Sequence, residues 1–162
     1  MRLLAIDPGP THSAYCMYET DDAKPLYWQK VENAFLLHWL EESREAMVDE
    51  LVIEMVASYG MAVGKEVFET VLWIGRFDEA WRQAQLIPLS RKQPARLLYR
   101  REVKLHLCGQ ARAKDANIRQ ALLDRFGPKG TKADPGVLYG MSGDCWAALG
   151  VAVTAAETPR MD

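Results

Sequence analysis

The sequence predicts an α/β fold: a mixed sheet that opens as an antiparallel meander, continues with parallel strands, and is flanked by helices. Three observations predict it. The first thirty residues carry three short strand-like runs separated by turn residues. From residue 32 to residue 89 helical and strand-like stretches alternate, the order that βαβ crossovers require. Beyond residue 90 the stretches with structure are helical, interrupted by a Gly/Pro/Lys loop at 129–140.

Residues 2–7 (RLLAID) are a short apolar run closed by Pro8-Gly9-Pro10, which reads as a buried strand. Residues 11–19 (THSAYCMYE) set Tyr, Cys and Met in loose alternation, a second strand. Asp21-Asp22 turns the chain into a third strand at 25–30 (PLYWQK). Residues 32–47 read as a helix with Phe35, Leu36, Trp39, Leu40 and Met47 on one stripe and glutamates opposite. Residues 50–54 (ELVIE) are a fourth strand. Residues 63–85 form a long amphipathic helix, with Val67, Phe68, Val71, Leu72, Ile74 and Trp81 at three- and four-residue steps. Residues 86–89 (LIPL) read as a short fifth strand. Helices follow at 101–108, with Gly109 as C-cap, at 115–126, stopped by Gly127-Pro128, and at 144–157. No repeat, low-complexity segment or linker divides the 162 residues, so they read as one domain.

Composition narrows the function. With 49% hydrophobic and 26% charged residues the chain is neither disordered nor fibrous. Cys16, Cys108 and Cys145 lie far apart, outside any CxxC; that argues against a disulfide scaffold or a cysteine zinc site and fits a reducing cytosol. The least polar run, 145–156, is too short to span a bilayer, and MRLLAIDPG does not read as a signal peptide. The net charge of −2 conceals a pattern: residues 1–90 carry −8, residues 91–132 carry +9, and residues 133–162 carry −3. A basic block between acidic ones points to a polyanion, nucleic acid first. The plain alternative is a solvated helical face.

Three carboxylates stand out. Asp7 closes a buried strand, where a carboxylate is costly unless paired or metal-bound; its plain reading is a cap on the Pro8-Gly9 turn. Glu54 ends another apolar strand, although glutamate is a poor strand residue; its plain reading is an exposed strand end paired with a lysine. Asp144 opens an apolar helix, where aspartate is a preferred N-cap and Ser142 competes for that role. Two strand-end carboxylates and one at a helix start can meet at one edge of one sheet, where ligand sites of such sheets lie. Hard oxygen donors of that kind suit Mg²⁺ or Mn²⁺. An acidic pocket beside a basic surface is what a nuclease needs. His12, His38 and His106 show no ligand spacing, although His12 follows the Asp7 loop. No P-loop, HExxH or nucleophile elbow occurs, so no nucleotide cofactor is implied.

In this order and spacing, the IDPG at Asp7, the IE at Glu54 and the late helix opened by Asp144 resemble the RuvC-type Holliday-junction resolvases of the ribonuclease-H-like superfamily. VKLHLCG, from Val103 through Lys104 to Gly109, with Lys114 beyond, strengthens the likeness. YGMAVGKEVFETVLWIGRF and GVLYGMSGDCWAALGVA look most like phage-encoded variants. The resemblance implies a ribonuclease-H-like fold and a magnesium-dependent endonuclease, with manganese as a possible substitute. Asp7, Glu54 and Asp144 would be the catalytic metal ligands, and Lys104 and Lys114 would contact DNA near the scissile phosphate. Arg91, Lys92, Arg96, Arg100, Arg101 and Arg112 would complete the basic surface. It implies a homodimer on a four-way DNA junction, with the helix after Glu54 at its interface. Two symmetric nicks would leave 5′-phosphate and 3′-hydroxyl ends. The expected location is the cytoplasm of a bacterial or phage-infected cell, with no membrane partner.

Three departures are visible, the first being that the spacing to Lys114 is one residue shorter than in bacterial members. The family's final helix usually carries a second carboxylate three residues after the first; here that position is Ala147. This leaves the ion count, one or two, open, with Asp115 and Asp134 as candidates to substitute. The junction-wedging aromatic that some members carry soon after the glutamate is not matched. Tyr59, five residues on, is a candidate to stack on an unpaired base, against a plain packing role. Other readings are a non-catalytic junction-binding protein, for which Ala147 is the argument, and a ribonuclease or flap endonuclease on the same fold. DPGPTHS also resembles the first phosphate loop of sugar kinases and actin-like ATPases, but 162 residues leave no room for their second domain.

Overall fold

A computed structural model describes residues 1–42, 48–84 and 93–160. Its strands are β1 (Arg2–Asp7), β2 (His12–Glu19), β3 (Lys24–Glu32), β4 (Glu50–Met55) and β5 (Arg96–Tyr99). Its helices are α1 (Asn33–Glu42), α2 (Lys65–Gln83), α3 (Arg100–Cys108), α4 (Asp115–Phe126) and α5 (Cys145–Glu157). The strands form one sheet in the order β3-β2-β1-β4-β5. The meander β1–β3 is antiparallel, and β4 and β5 add in parallel.

Alternation along the central strand assigns the two layers. Leu3 and Ala5 of β1, with Val52 of β4 and Ala14, Cys16 and Tyr18 of β2, pack into a core with α3, α4 and α5. Leu4 and Ile6, with Leu51 and Ile53, pack on the other face against α1 and α2. Buried on both sides, β1 and β4 read as continuous apolar runs, as central strands of a covered sheet do. The helix α5 is buried along almost its whole length, because it lies across β1 and β2 with α3 and α4 beside it.

Several expectations are corrected here. The fifth strand is Arg96–Tyr99; the expected LIPL strand lies outside the described residues, as do Met47, Gln85, Arg91 and Lys92. On α1 the buried positions are Asn33, Leu36 and Leu40, while Phe35 is 56% exposed. On α2 the buried stripe is Thr70, Ile74, Phe77, Ala80 and Trp81; Phe68, Val71 and Leu72 face solvent. Both helices carry more apolar surface than one core face takes, so periodicity alone does not choose the stripe. Arg96 is not part of a basic surface. It is buried, and its guanidinium donates to the carbonyls of Ala155, Thr158 and Pro159 and to the Thr158 hydroxyl, tying β5 to the end of α5.

The loop after β1 is fixed by a buried polar network. The Ser13 hydroxyl donates to Asn33 Oδ1 (2.6 Å), Asn33 Nδ2 donates to the Gly9 carbonyl (2.9 Å), and the Gly9 amide donates to Ser13 Oγ (3.3 Å). Gly9 is required there, since an added Cβ would collide with the His12 carbonyl oxygen. This network does the turn-holding that the plain reading gave to Asp7. Asn33→Ala strands the Ser13 hydroxyl and the Gly9 carbonyl and should lower stability by about 1–3 kcal/mol. Urea unfolding measures this; an unchanged midpoint would show that the network carries no weight.

Candidate active site

The sheet register builds the site from residues far apart in sequence. Asp7 continues the Leu3–Ala5 face of β1, and Glu54 continues Val52 on β4, so both belong to the face that α5 covers. They stand one step beyond Ile6 and Ile53, which are paired across the parallel ladder. On the other side Asp7 pairs with Ala14 of β2, and Ala14 pairs with Lys30 of β3. Lys30, Ala14, Asp7 and Glu54 thus form one row across four strands. The small Ala14 leaves room for Lys30 to reach toward α5. Asp144, at the N-cap position of α5, makes no side-chain cap bond. Its Oδ2 accepts from Lys30 Nζ at 2.6 Å instead.

Asp7, Asp144, Ala147, Arg100 and Asp115 all line one small cavity of about 90 Å³. Asp7 is mostly buried, and its acidity is depressed: burial first, then the Glu54 carboxylate, push its pKa from 3.8 to about 7, against the opposing pull of Arg100. Glu54 is 6% exposed, and burial raises its pKa too, although Arg100 opposes the shift. Arg100 Nη1 spans the Glu54 carboxylate, at 2.9 Å from Oε1 and 3.1 Å from Oε2, and Nη2 donates to Asp115 Oδ1 at 2.7 Å. Burial works to lower the Arg100 pKa, but its carboxylate partners hold it above the usual range.

Arg100, expected on the DNA-binding surface, is the first residue of α3 and is held by Glu54 and Asp115 with a third of its side chain exposed. Glu54, read as an exposed strand end paired with a lysine or as a ligand, is a buried strand residue paired with an arginine. Asp115 is brought to the site, at the start of α4; Asp134 sits in the 130–135 turn, where its amide donates to Thr131 Oγ1. Lys104 lies on α3 near enough to Glu54 to act on its charge. Arg101, Arg112 and Lys114 are exposed along α3, the following turn and the N-cap of α4. Gly109 caps α3 in the left-handed conformation (φ 70°), donating to the Leu105 carbonyl. Tyr59 is 64% exposed in the loop after β4, with φ 47°. His12 is an exposed strand residue whose ring meets Thr11 Oγ1.

Lys30 was missed by sequence reading. Its signal lies in the hairpin register, since only pairing β3 to β2 puts it in the Asp7 row. Among the described residues, no three Asp, Glu, His or Cys side chains are gathered as a metal-holding group. Two of the three carboxylates are engaged by Arg100 and Lys30. The donor set nevertheless fits a hard divalent ion: every donor is a carboxylate oxygen, and burial and two neighbouring anions oppose the charge of Asp7, which a cation would relieve. The three cysteines are free, and among the described residues no helix is long and apolar enough to cross a membrane.

No family model matches the sequence, and no curated protein matches it. Solved structures do. The structure of Thermus thermophilus RuvC has 19% sequence identity and a TM-score of 0.68, with 96% of this chain and 93% of that chain covered. The structure of T. thermophilus RuvC in complex with Holliday junction substrate has 18% identity and a TM-score of 0.67 over the same shares. At this identity the likeness is one of fold, and it spans nearly the full length of both chains. The five-stranded mixed sheet, with its antiparallel opening and α5 laid across β1, is the ribonuclease-H-like fold of RuvC.

Proposed function

We propose that this chain is a metal-dependent endonuclease that resolves four-way DNA junctions. The observation that carries the reading is Asp7 at the end of β1, with the Glu54 and Asp144 carboxylates each near enough to act on its charge. A structure with the same fold holds a Holliday junction substrate. In this reading Asp7, Glu54 and Asp144 hold Mg²⁺, with Mn²⁺ as a substitute. Bound there, the ion supplies an activated water and charge neutralisation at the scissile phosphate.

The chain's own residues do the rest. Lys30 holds Asp144 through a half-exposed pair, which is weak enough to be given up when the carboxylate finds a better partner. Asp144 stands at the head of α5 with its carboxylate free of any cap bond. Arg100 keeps Glu54 and Asp115 in place. Lys104, Lys114, Arg101 and Arg112 line the approach and hold flanking phosphates, so affinity should fall steeply with salt. Tyr59, exposed on its loop, would stack on an unpaired base. The exposed Phe68, Val71 and Leu72 of α2 offer an apolar face to a second copy, which would set two sites against one junction. The cut would leave 5′-phosphate and 3′-hydroxyl ends.

The test is cleavage of a labelled four-way junction beside a linear duplex of the same sequence, with Mg²⁺ and with EDTA. Paired symmetric nicks in the junction alone, lost with EDTA, are the expected result. Equal cutting of flaps or RNA hybrids would move the assignment to a general nuclease on this fold. A second reading, a protein that grips junctions without cutting them, draws on Ala147 and on the cations already engaged with Glu54 and Asp144. Tight junction binding with no nick under Mg²⁺ or Mn²⁺ would establish it.

A further inference from the structure

Beside the acidic pocket lies a larger cavity of about 440 Å³. It shares Asp115, Gly143 and Trp146 with the pocket, so the two are separated by a common wall. Its other polar walls are Arg119, Lys129 and Ser142. Arg119 lies on the second turn of α4 with its guanidinium over the Trp146 indole, 5.0 Å from the ring centroid. Such stacking fixes the plane in which the guanidinium presents its donors, the geometry that suits bidentate phosphate contacts. Lys129 is set by a closed turn. The Gly136 amide donates to its carbonyl at 2.9 Å, and Gly130 bridges to Pro135. At Gly136 an added Cβ would collide with the Pro128 carbonyl oxygen, so the neck of the turn tolerates no side chain there.

The charge of this cavity is uncompensated. Its one carboxylate, Asp115, is held by Arg100 Nη2 at 2.7 Å. Among the described residues neither Arg119 nor Lys129 has a carboxylate partner. Two unpaired cations, one of them pre-oriented by an aromatic ring, thus face a cavity that opens beside the proposed cutting site.

We propose that this cavity is a subsite for the phosphodiester next to the one that is cut, with Arg119 and Lys129 as its phosphate-binding residues. The inference rests on the nuclease reading above and extends it. A strand whose scissile phosphate reaches Asp7 and Asp144 can carry its neighbouring nucleotide across the shared wall. Arg119 and Lys129 then fix the register of the strand in the site.

The experiment is a cycle between protein and DNA. Junctions are made with a neutral methylphosphonate at the position on either side of the mapped nick. Wild type, Lys129→Ala and the Arg119→Ala/Lys129→Ala double variant are compared by binding in EDTA and by single-turnover cleavage in Mg²⁺. The double variant should bind the unmodified junction about tenfold more weakly, with a salt slope shallower by about two units. Neutralising one of the two neighbouring phosphates should weaken the wild type similarly and cost the double variant nothing more. Full, additive losses in both proteins would overturn the subsite. So would unchanged binding and salt slope in the variants. If the double variant does not fold, Lys129→Ala carries the same comparison with a slope change of about one unit. A folded wild type that neither binds nor cuts the unmodified junction would instead overturn the nuclease reading, and the subsite with it.

Discussion

Asp7→Asn is expected to end cleavage, to spare junction binding, and to make the metal-free protein more stable. The first two effects follow from the proposed division of labour, in which Asp7 holds the ion and the basic residues hold the DNA. Cleavage should fall by at least about 100-fold, beyond what loss of an outer-shell partner does. The third effect follows from the pKa. In the folded, metal-free protein the Asp7 carboxyl titrates at about 7, above its ordinary 3.8, because burial and the Glu54 and Asp144 carboxylates oppose its charge. The folded state therefore holds a proton that the unfolded chain releases. Stability falls as pH rises from 3.8, and the loss is complete above pH 7. Between pH 5 and pH 8 this group accounts for about 3 kcal/mol, at 1.36 kcal/mol per unit between pH 5 and its folded pKa. Asparagine removes the titration. In EDTA the variant should gain on the wild type by about that amount across this range. Parallel pH profiles of thermal unfolding for the two proteins would remove Asp7 from the buried, anion-crowded position assigned to it.

The same residue shows what the sequence makes legible. RLLAID ends in a charged residue after a run that only a covered central strand explains, and the turn residues after it fix the boundary. Glu54 is conspicuous for the same reason, and Asp144 by its place at the head of an apolar helix. Local signals of this kind are present in the sequence itself. The partners of these carboxylates are not, because they depend on register and crossover. Lys30 enters the site through two rungs of antiparallel pairing, and Arg100 through the crossover that lays β5 beside β4. RLLY of β5 is four residues long and opens with an arginine in a basic stretch, so alternation and composition both argue against a strand there. Arg96 illustrates the same limit: an arginine reads as surface, yet here it satisfies the end of α5 from about sixty residues away. The exposed apolar side of α2 is a different case. Its sequence shows too many apolar positions for one core face, but which of them faces the core is decided by packing against β4 and α1.

The second large effect is expected at Arg100, where the structure and the surface expectation give opposite results. As a DNA contact alone, Arg100→Ala would leave the free protein's stability unchanged, weaken junction binding and reduce the salt slope by about one unit. As placed in the fold, Arg100 is the only ion-pair partner of Glu54 among the described residues, and Glu54 keeps 8% of its side chain in solvent. Removing one partner of a buried pair leaves a charge without compensation, typically at about 3–5 kcal/mol. A third of the Arg100 side chain is solvent-exposed, so screening brings the expected loss to about 2–4 kcal/mol at pH 8. The sign with pH is set by Glu54. Its pKa is already raised by burial, and loss of the guanidinium raises it further. The folded variant then takes up a proton as pH falls, the uncompensated charge disappears, and the stability deficit shrinks toward pH 5. Divalent metal should recover part of the deficit at pH 8 if Glu54 and Asp7 bind it, which a thermal melt with and without Mg²⁺ reads without any cleavage assay. A variant as stable as wild type at pH 8, with a flattened salt slope for junction binding, would return Arg100 to the DNA surface and leave Glu54 without the partner the fold gives it.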